Sequence, residues 1–314
     1  MNYNPSMAEP QAYLNGEFIP QSHANLPVND AGLIWGATVT DLCRTFRHQL
    51  FRLADHLRRF RASCQDARVP LGIADSELAA LAHRLVEQNS RWLPAEHDLA
   101  LVMFATPGRI GYYLGRTGGP GESTGTLCLH TFPLPFSRYA RLFHQGVNLV
   151  TPAVRQPPPE SMPPTIKQRS RLHWWLAEQE AKAIDREASA LLLDAHGLLT
   201  ETASANLCLV RNGRVCTPRR GTVLPGVSLR MVEELCTDLG IQFLETDLRR
   251  EDCQETSEAF LSSTTFCLAP VARINDRDYP SPGPVFQQLL EEWSRRVGVD
   301  IRLQILSHRD PSSL

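Results

Sequence analysis

Lysine and arginine together number 32 in this chain of 314 residues, yet only two are lysines, Lys167 and Lys182. The bias separates two kinds of work. Arginine serves wherever a fixed positive charge is wanted, whereas capture of a carbonyl compound as a Schiff base needs a primary amine that can lose its proton. Lys182 has an ordinary task, since Glu178 lies four residues earlier on an expected helix and such a pair contributes about 0.3 kcal/mol. No acidic residue stands three or four positions from Lys167, and amine chemistry is open to it. Other groups could surround a small anionic ligand. Leu224-Pro-Gly-Val-Ser-Leu-Arg230 puts a glycine and a hydroxyl at the start of a helix, where unsatisfied backbone N–H groups and the positive dipole end favour phosphate; alternatively Ser228 only caps that helix. Ser262-Ser-Thr-Thr265 ends an apolar strand with further hydroxyl donors. Glu201, among small polar residues ahead of a strand, could accept a hydrogen bond from a ring nitrogen or stand as a solvated turn glutamate. Arg59, behind His56, could pair with a phosphate, although Arg58 and Arg61 beside it read as solvated.

These residues must be positioned by an alternation of helices and strands. In the first part we expect a strand over Ala12–Ile19, an apolar stretch at Val39–Phe46, a helix from Asp55, which can cap it, to Ala67, and a helix over Ser76–Gln88. Strands follow at Leu99–Thr106 and Thr126–Phe132, with a flexible loop at Gly118–Gly125. Prolines 133 and 135 mark a linker, giving an N-terminal α/β domain over 1–134 and a second domain over 135–314. The second opens with a helix near Arg138–His144 and a strand at Val147–Pro152. The proline-rich passage Gln156–Pro164 then delivers Lys167 at the start of a helix reaching Ile184. Strands are expected at Ala190–Asp194 and Asn206–Val210, the latter turning through Asn212-Gly213 into Val215–Thr217. Helix Ser228–Leu239, strands Gln242–Glu245 and Ala259–Ser263 and helix Val285–Val297 complete it.

Composition excludes several functions. A formal charge of −2 offers no field to gather nucleic acid or an anionic membrane. Met1–Pro10 lacks the pattern of a signal peptide, and no apolar run approaches the roughly 20 residues that span a bilayer, so a cytoplasmic protein acting on a small molecule is expected. The eight cysteines contain no C-x-x-C pair, which suggests neither a metal site nor a disulfide framework.

The order of the motifs carries more than each alone. His56-Leu-Arg-Arg59, Lys167, Asp194-Ala-His-Gly197, Thr200-Glu-Thr-Ala-Ser-Ala-Asn206, Leu224-Pro-Gly-Val-Ser228 and Phe260-Leu-Ser-Ser-Thr-Thr265 with Pro270-Val271 follow one another. Asn29-Asp-Ala-Gly32, Leu50-Phe-Arg-Leu53 and Glu180-Ala181 join them, and the series resembles the class IV aminotransferases from about Tyr13 to the last helix. The resemblance implies fold type IV of the enzymes that use pyridoxal 5'-phosphate (PLP): two α/β (α+β) domains with the cofactor bound between them, in a homodimer. It implies that Lys167 forms the Schiff base and that Glu201 partners the pyridine nitrogen. Arg59, Val227, Ser228, Thr264 and Thr265 would then bind the cofactor, Val227 and Ser228 through backbone N–H groups. The mechanism implied has the amine of Lys167, displaced from its aldimine by substrate, acting as general base while the ring withdraws electrons.

The same comparison leaves the substrate open. An aminotransferase passing an amino group from an amino acid or related amine to a 2-oxo acid is the leading reading. Arg171-Leu172, where aminotransferases often carry Asn-Tyr, is closer to the aminodeoxychorismate-lyase pattern, whose product is pyruvate; a non-catalytic PLP-binding protein is a third reading. Asp41 replaces a customary glutamate, and the strand from Val102 to Arg109 lacks the Arg-x-His pair with which D-amino acid enzymes bind a carboxylate. Arg109, Arg116 and Arg171 are the candidates for that carboxylate.

Overall fold

The computed structural model describes residues 9–94, 96–111 and 125–307. They fall into two compact units. One comprises the chain up to Leu134 together with Ile166–Ser170; the other comprises Pro135–Thr165 and the chain from Arg171 onward. The lysine segment, expected in the second domain, thus packs with the first unit. Arg116 and residues 118–124 of the anticipated glycine-rich loop lie outside the described residues.

In the first unit, β1 (Gln11–Leu14) and β2 (Glu17–Pro20) form a hairpin on Asn15-Gly16, with φ of 50° and 106°. The single strand expected at Ala12–Ile19 is therefore two, because Asn-Gly accepts the left-handed backbone that a two-residue hairpin requires. A short helix α1 (Ala31–Ile34) is capped by Asp30, whose Oδ1 accepts from the Gly32 amide at 2.7 Å. Then come β3 (Val39–Phe46), β4 (Gln49–Leu50), α2 (Leu53–Asp66), α3 (Asp75–Ser90), β5 (Leu99–Thr106) and β6 (Thr126–Pro133). The strands order as β2-β1-β6-β5-β3-β4. Strand alternation sends Leu99, Leu101, Met103 and Ala105 of β5 into one core with Leu57, Phe60 and Cys64 of α2 and Leu78, Ala82 and Leu85 of α3. Asp55 does not cap α2. The helix starts two residues earlier, after Arg52 in the left-handed region, and Asp55 in its first turn accepts from Arg52 Nε at 2.7 Å.

The second unit begins with α4 (Phe136–Gln145) and β7 (Val147–Val150), and continues with α5 (Leu172–Ile184), β8 (Ser189–Leu193), β9 (Leu199–Thr202), β10 (Asn206–Arg211) and β11 (Arg214–Pro218). After these come α6 (Val227–Asp238), β12 (Phe243–Thr246), β13 (Glu258–Ser263), β14 (Cys267–Ile274), β15 (Arg277–Asp278), α7 (Pro284–Val297) and α8 (Ile301–Leu306). The sheet runs β12-β11-β10-β13-β14-β7-β8-β9, and β9 pairs with β10 as well, so the ladder from β10 through β13, β14, β7 and β8 to β9 closes on itself. Leu191, Leu193, Leu199, Leu207, Leu209, Leu261, Ala269 and Val271 from these strands share one core. Asn212-Gly213 turns β10 into β11 with φ of 50° and 73°, as its dipeptide requires. All eight cysteines are buried and unbridged, and burial pushes the Cys64, Cys128 and Cys236 thiols up to about 12. They pack as small apolar groups. Among the described residues, no helix is long and apolar enough to cross a membrane.

Candidate active site

Lys167 is not at a helix start. Residues 166–170 run antiparallel to the first half of β3, with Gln168 opposite Val39. Thr40 N donates to Lys167 O at 2.8 Å and Arg169 N to Thr38 O at 2.9 Å. The Lys167 amide donates in turn to Ser63 Oγ of α2 at 3.1 Å. The main chain of Lys167 is fixed on both sides while its side chain stays half-buried.

Beneath it in the same unit lies a buried ionic cluster. Asp41, fully buried on β3, accepts from Arg59 Nε at 2.8 Å and from Arg59 Nη2 at 2.9 Å. Its Oδ1 also meets His56 Nδ1 at 2.8 Å. Burial by itself would push the Asp41 carboxyl up; the Arg59 charge and the His56 hydrogen bond outweigh it and hold the group well below the usual carboxylate range. Asp41 is therefore an acceptor only, so His56 Nδ1–H donates. Burial lowers the pKa of His56 despite the carboxylate beside it, with Arg59 and Lys167 adding to the depression. Arg59, the expected phosphate ligand, thus has its guanidinium oriented by a two-point contact with Asp41.

The second unit brings together the remaining candidates. Glu201 on β9 sits opposite Asn206 on β10, and Asn206 sits opposite Ser262 on β13, so the three side chains form a row on one face. Asn206 Nδ2 donates to Glu201 Oε2 at 3.1 Å and to Leu224 O at 3.0 Å, and Leu224 N donates to Glu201 Oε1 at 3.1 Å. Both carboxylate oxygens of Glu201 are thereby tied to the loop that leads into α6. Gly226 is the N-cap of α6 and offers no side chain to its first turn, which also contains no acidic residue. Ser228 is the second residue of that helix, so the reading in which it serves as the cap does not hold. A Cβ on Gly226 would stand 2.1 Å from Asn206 Oδ1, which explains the glycine. Val227 and Ser228, both buried, present the first backbone amides of the helix. Thr264 and Thr265 lie in the turn joining β13 to β14, next to Ser263, whose Oγ donates to Ser204 O at 2.8 Å. Ser262 is buried, and its Oγ has no hydrogen-bond partner among the described residues.

Of the carboxylate candidates, Arg109 belongs to the first unit and Arg171 to the second. Arg109 is exposed, and its backbone bridges to Asp30. Arg171 precedes α5; its Nη2 donates to Ala203 O, and its guanidinium lies 5.9 Å from the Trp174 ring centre. Sequence reasoning gave no role to Asn206 or Asp41 and did not single out Arg169. Arg169 owes its place to the pairing of its segment with β3, Asp41 to the contact of β3 with α2, and Asn206 to the pairing of β9 with β10.

The family model for amino-transferase class IV matches residues 38–274. This chain belongs to the class IV aminotransferases. It is thus a transaminase of the PLP-using class, and the mixed α/β architecture agrees. A putative branched-chain-amino-acid aminotransferase of Methanocaldococcus jannaschii is 26% identical over 284 residues, covering 90% of this chain and 94% of the relative. A D-alanine aminotransferase of Staphylococcus haemolyticus is 23% identical over 298 residues, covering 91% and 98%. The branched-chain aminotransferase of Thermoproteus uzoniensis, solved with norvaline, superposes with a TM-score of 0.79 at 24% identity, covering 92% of this aminotransferase and 94% of that chain. These relatives carry aminotransferase names, which supports transfer of the amino group over the pyruvate-releasing lyase reading.

Proposed function

We propose that this aminotransferase moves the amino group of an α-amino acid to a 2-oxo acid with PLP, Lys167 being the residue that holds the cofactor and Glu201 the partner of its ring nitrogen. Arg59, the amides of Val227 and Ser228, and Thr264 with Thr265 take the phosphate. The residues fit such a group. The uncapped, acid-free first turn of α6 suits a dianion, and the orphan hydroxyl of Ser262 stands in the row that contains Glu201. When bound, PLP supplies a carbonyl for an amine and an electron-withdrawing ring.

The observation that carries this reading is the double tether of Glu201 to Leu224 and Asn206, because it locks the ring partner to the loop that opens α6. A carboxylate has about four lone-pair sites, so Glu201 can receive both N–H groups and still accept from a ring N–H. Lys167, its main chain pinned to β3, swings only its side chain, and its amine is placed to take the proton from the substrate carbon and hold it. Arg59, held by Asp41, arrives pre-oriented, so little rotamer entropy is lost when it meets a phosphate. A homodimer in the cytoplasm goes with this reading, and the exposed apolar side chains of α5, Leu172, Trp175, Leu176 and Ile184, supply a face of the kind that associates.

Borohydride reduction of the PLP-loaded protein, followed by peptide mass spectrometry, tests the assignment without relying on turnover. One label per chain on Lys167 is expected, with none in Lys167→Ala. A label on Lys182, or one that persists in Lys167→Ala, would refute it.

A further inference from the structure

An amino acid and a 2-oxo acid both carry a carboxylate beside the reacting carbon, and a cation within reach of the lysine that works on that carbon would bind either. We propose that Arg169 is this cation; the inference rests on Lys167 being the reactive amine. Gln168 lies opposite Val39, whose side chain enters the core under α2 and α3, so alternation turns Lys167 and Arg169 to the other face of the sheet. Lys167 stands opposite Thr40 there, Thr40 opposite Phe104, and Phe104 opposite Cys128, in one row across the sheet. The Arg169 guanidinium lies over Phe104, 6.0 Å from the ring centre, and the His130 ring is 6.4 Å from Phe104 on its other flank. Two residues along a strand span about 6.6 Å, so the two side-chain tips can flank a substrate whose carboxylate adjoins its reacting carbon.

The surroundings of Arg169 leave its charge uncompensated. Phe104, His130, Cys128 and Thr40 contribute no carboxylate, and among the described residues Arg169 makes no ion pair and no side-chain hydrogen bond. Burial depresses its pKa, and burial followed by the Arg169 charge depresses that of His130, which leaves the imidazole neutral. Arg169 is exposed by solvent accessibility, although its guanidinium is partly desolvated where it lies over Phe104, so a substrate can reach it. A guanidinium that pairs with no anion among the described residues, on the face of Lys167, is placed to receive one brought by the substrate. It also accounts for the missing arginine on β5: the charge comes from the neighbouring segment and sits on the β5 aromatic instead. Arg171, two residues on, has its guanidinium engaged with Ala203 O.

The test uses the PLP-loaded enzyme and two unreactive acids, propionate with one carboxylate and glutarate with two, titrated by the change in cofactor absorbance. Arg169→Met keeps a stem over Phe104, and Arg169→Lys keeps the charge. Loss of a charge-assisted pair should raise the dissociation constants on the order of 10- to 100-fold in Arg169→Met. Arg169→Lys should recover part of the loss, and PLP affinity should not change. Weakening of both acids places the contact at the carboxylate beside the reacting carbon and supports the assignment; weakening of glutarate alone places it at a distal carboxylate and overturns it. Unchanged binding of both acids, with the borohydride label on Lys167 in parent and variant, overturns the role of Arg169 alone. A label elsewhere in the parent overturns the lysine reading with it.

Discussion

Replacing Asn206 by aspartate keeps the shape of the side chain and changes one donor group into an acid, which makes it a sharp probe of the Glu201 tether. Asn206 Nδ2 is 3.1 Å from Glu201 Oε2 and 3.0 Å from Leu224 O. Two carboxylates at 3.1 Å repel by about 5 kcal/mol at an effective dielectric of 20. Glu201 is only partly buried, and we discount this to about 2–3 kcal/mol, equivalent to an upward shift of roughly 2 pH units for a proton shared by the pair. The sign follows from linkage. The folded pair would hold its proton more tightly than the unfolded acids, so its effect is absent below about pH 4 and stability falls as pH rises through the raised value. Urea unfolding of Asn206→Asp should match the parent most closely near pH 4 and fall behind it by about 2–3 kcal/mol by pH 8. A constant deficit between pH 4 and pH 8 would show that Asn206 and Glu201 do not share a hydrogen bond, and the argument for a locked ring partner would go with it.

The cluster in the first unit gives the opposite pH sign. The depressed Asp41 acid contributes stability that is present above about pH 4 and lost as pH falls below it; Asp41→Asn should flatten that acid limb, cost about 3–5 kcal/mol at neutral pH by stranding the Arg59 charge, and weaken PLP binding, all readable by urea titration and cofactor binding. Glu258 tests a part of the fold away from the proposed site. Buried on β13, it accepts from the Val285 and Phe286 amides at 3.0 and 3.1 Å and so caps α7 from outside the helix. Glu258→Ala should destabilise by about 1–3 kcal/mol in thermal unfolding with PLP affinity unchanged.

Local signals in the sequence were legible where the physics is local. Leu99–Thr106 forms a strand at its expected bounds, because it is a short, continuous apolar run, and the apolar stretch Val39–Phe46 is a strand as well. Asn212-Gly213 forms its expected hairpin. The start of α2 was misplaced because Arg52 takes a left-handed conformation that a non-glycine seldom adopts, with Asp55 holding its side chain. Lys167 was placed on a helix because the apolar spacing of Leu172–Ile184 runs back toward it without a stop signal. What ends the helix at Leu172 is the pairing of residues 166–170 with β3, more than 100 positions earlier in the chain.

That displacement changes how the candidate residues are to be understood. On a helix, Lys167 and Arg169 would point about 160° apart (2 × 360°/3.6 = 200° around the axis), and an arginine two residues from the lysine would have nothing to do with its substrate. On a strand the same spacing of two puts them on one face, so the structural assignment of five residues decides whether Arg169 is a surface charge or a receptor. Asn206, expected at the start of a strand, stands five residues beyond Glu201, and the pairing of β9 with β10 sets it directly opposite. In both places the residue types were plain in the sequence, and which side chains face one another was decided by backbone pairing, whose register the sequence does not display.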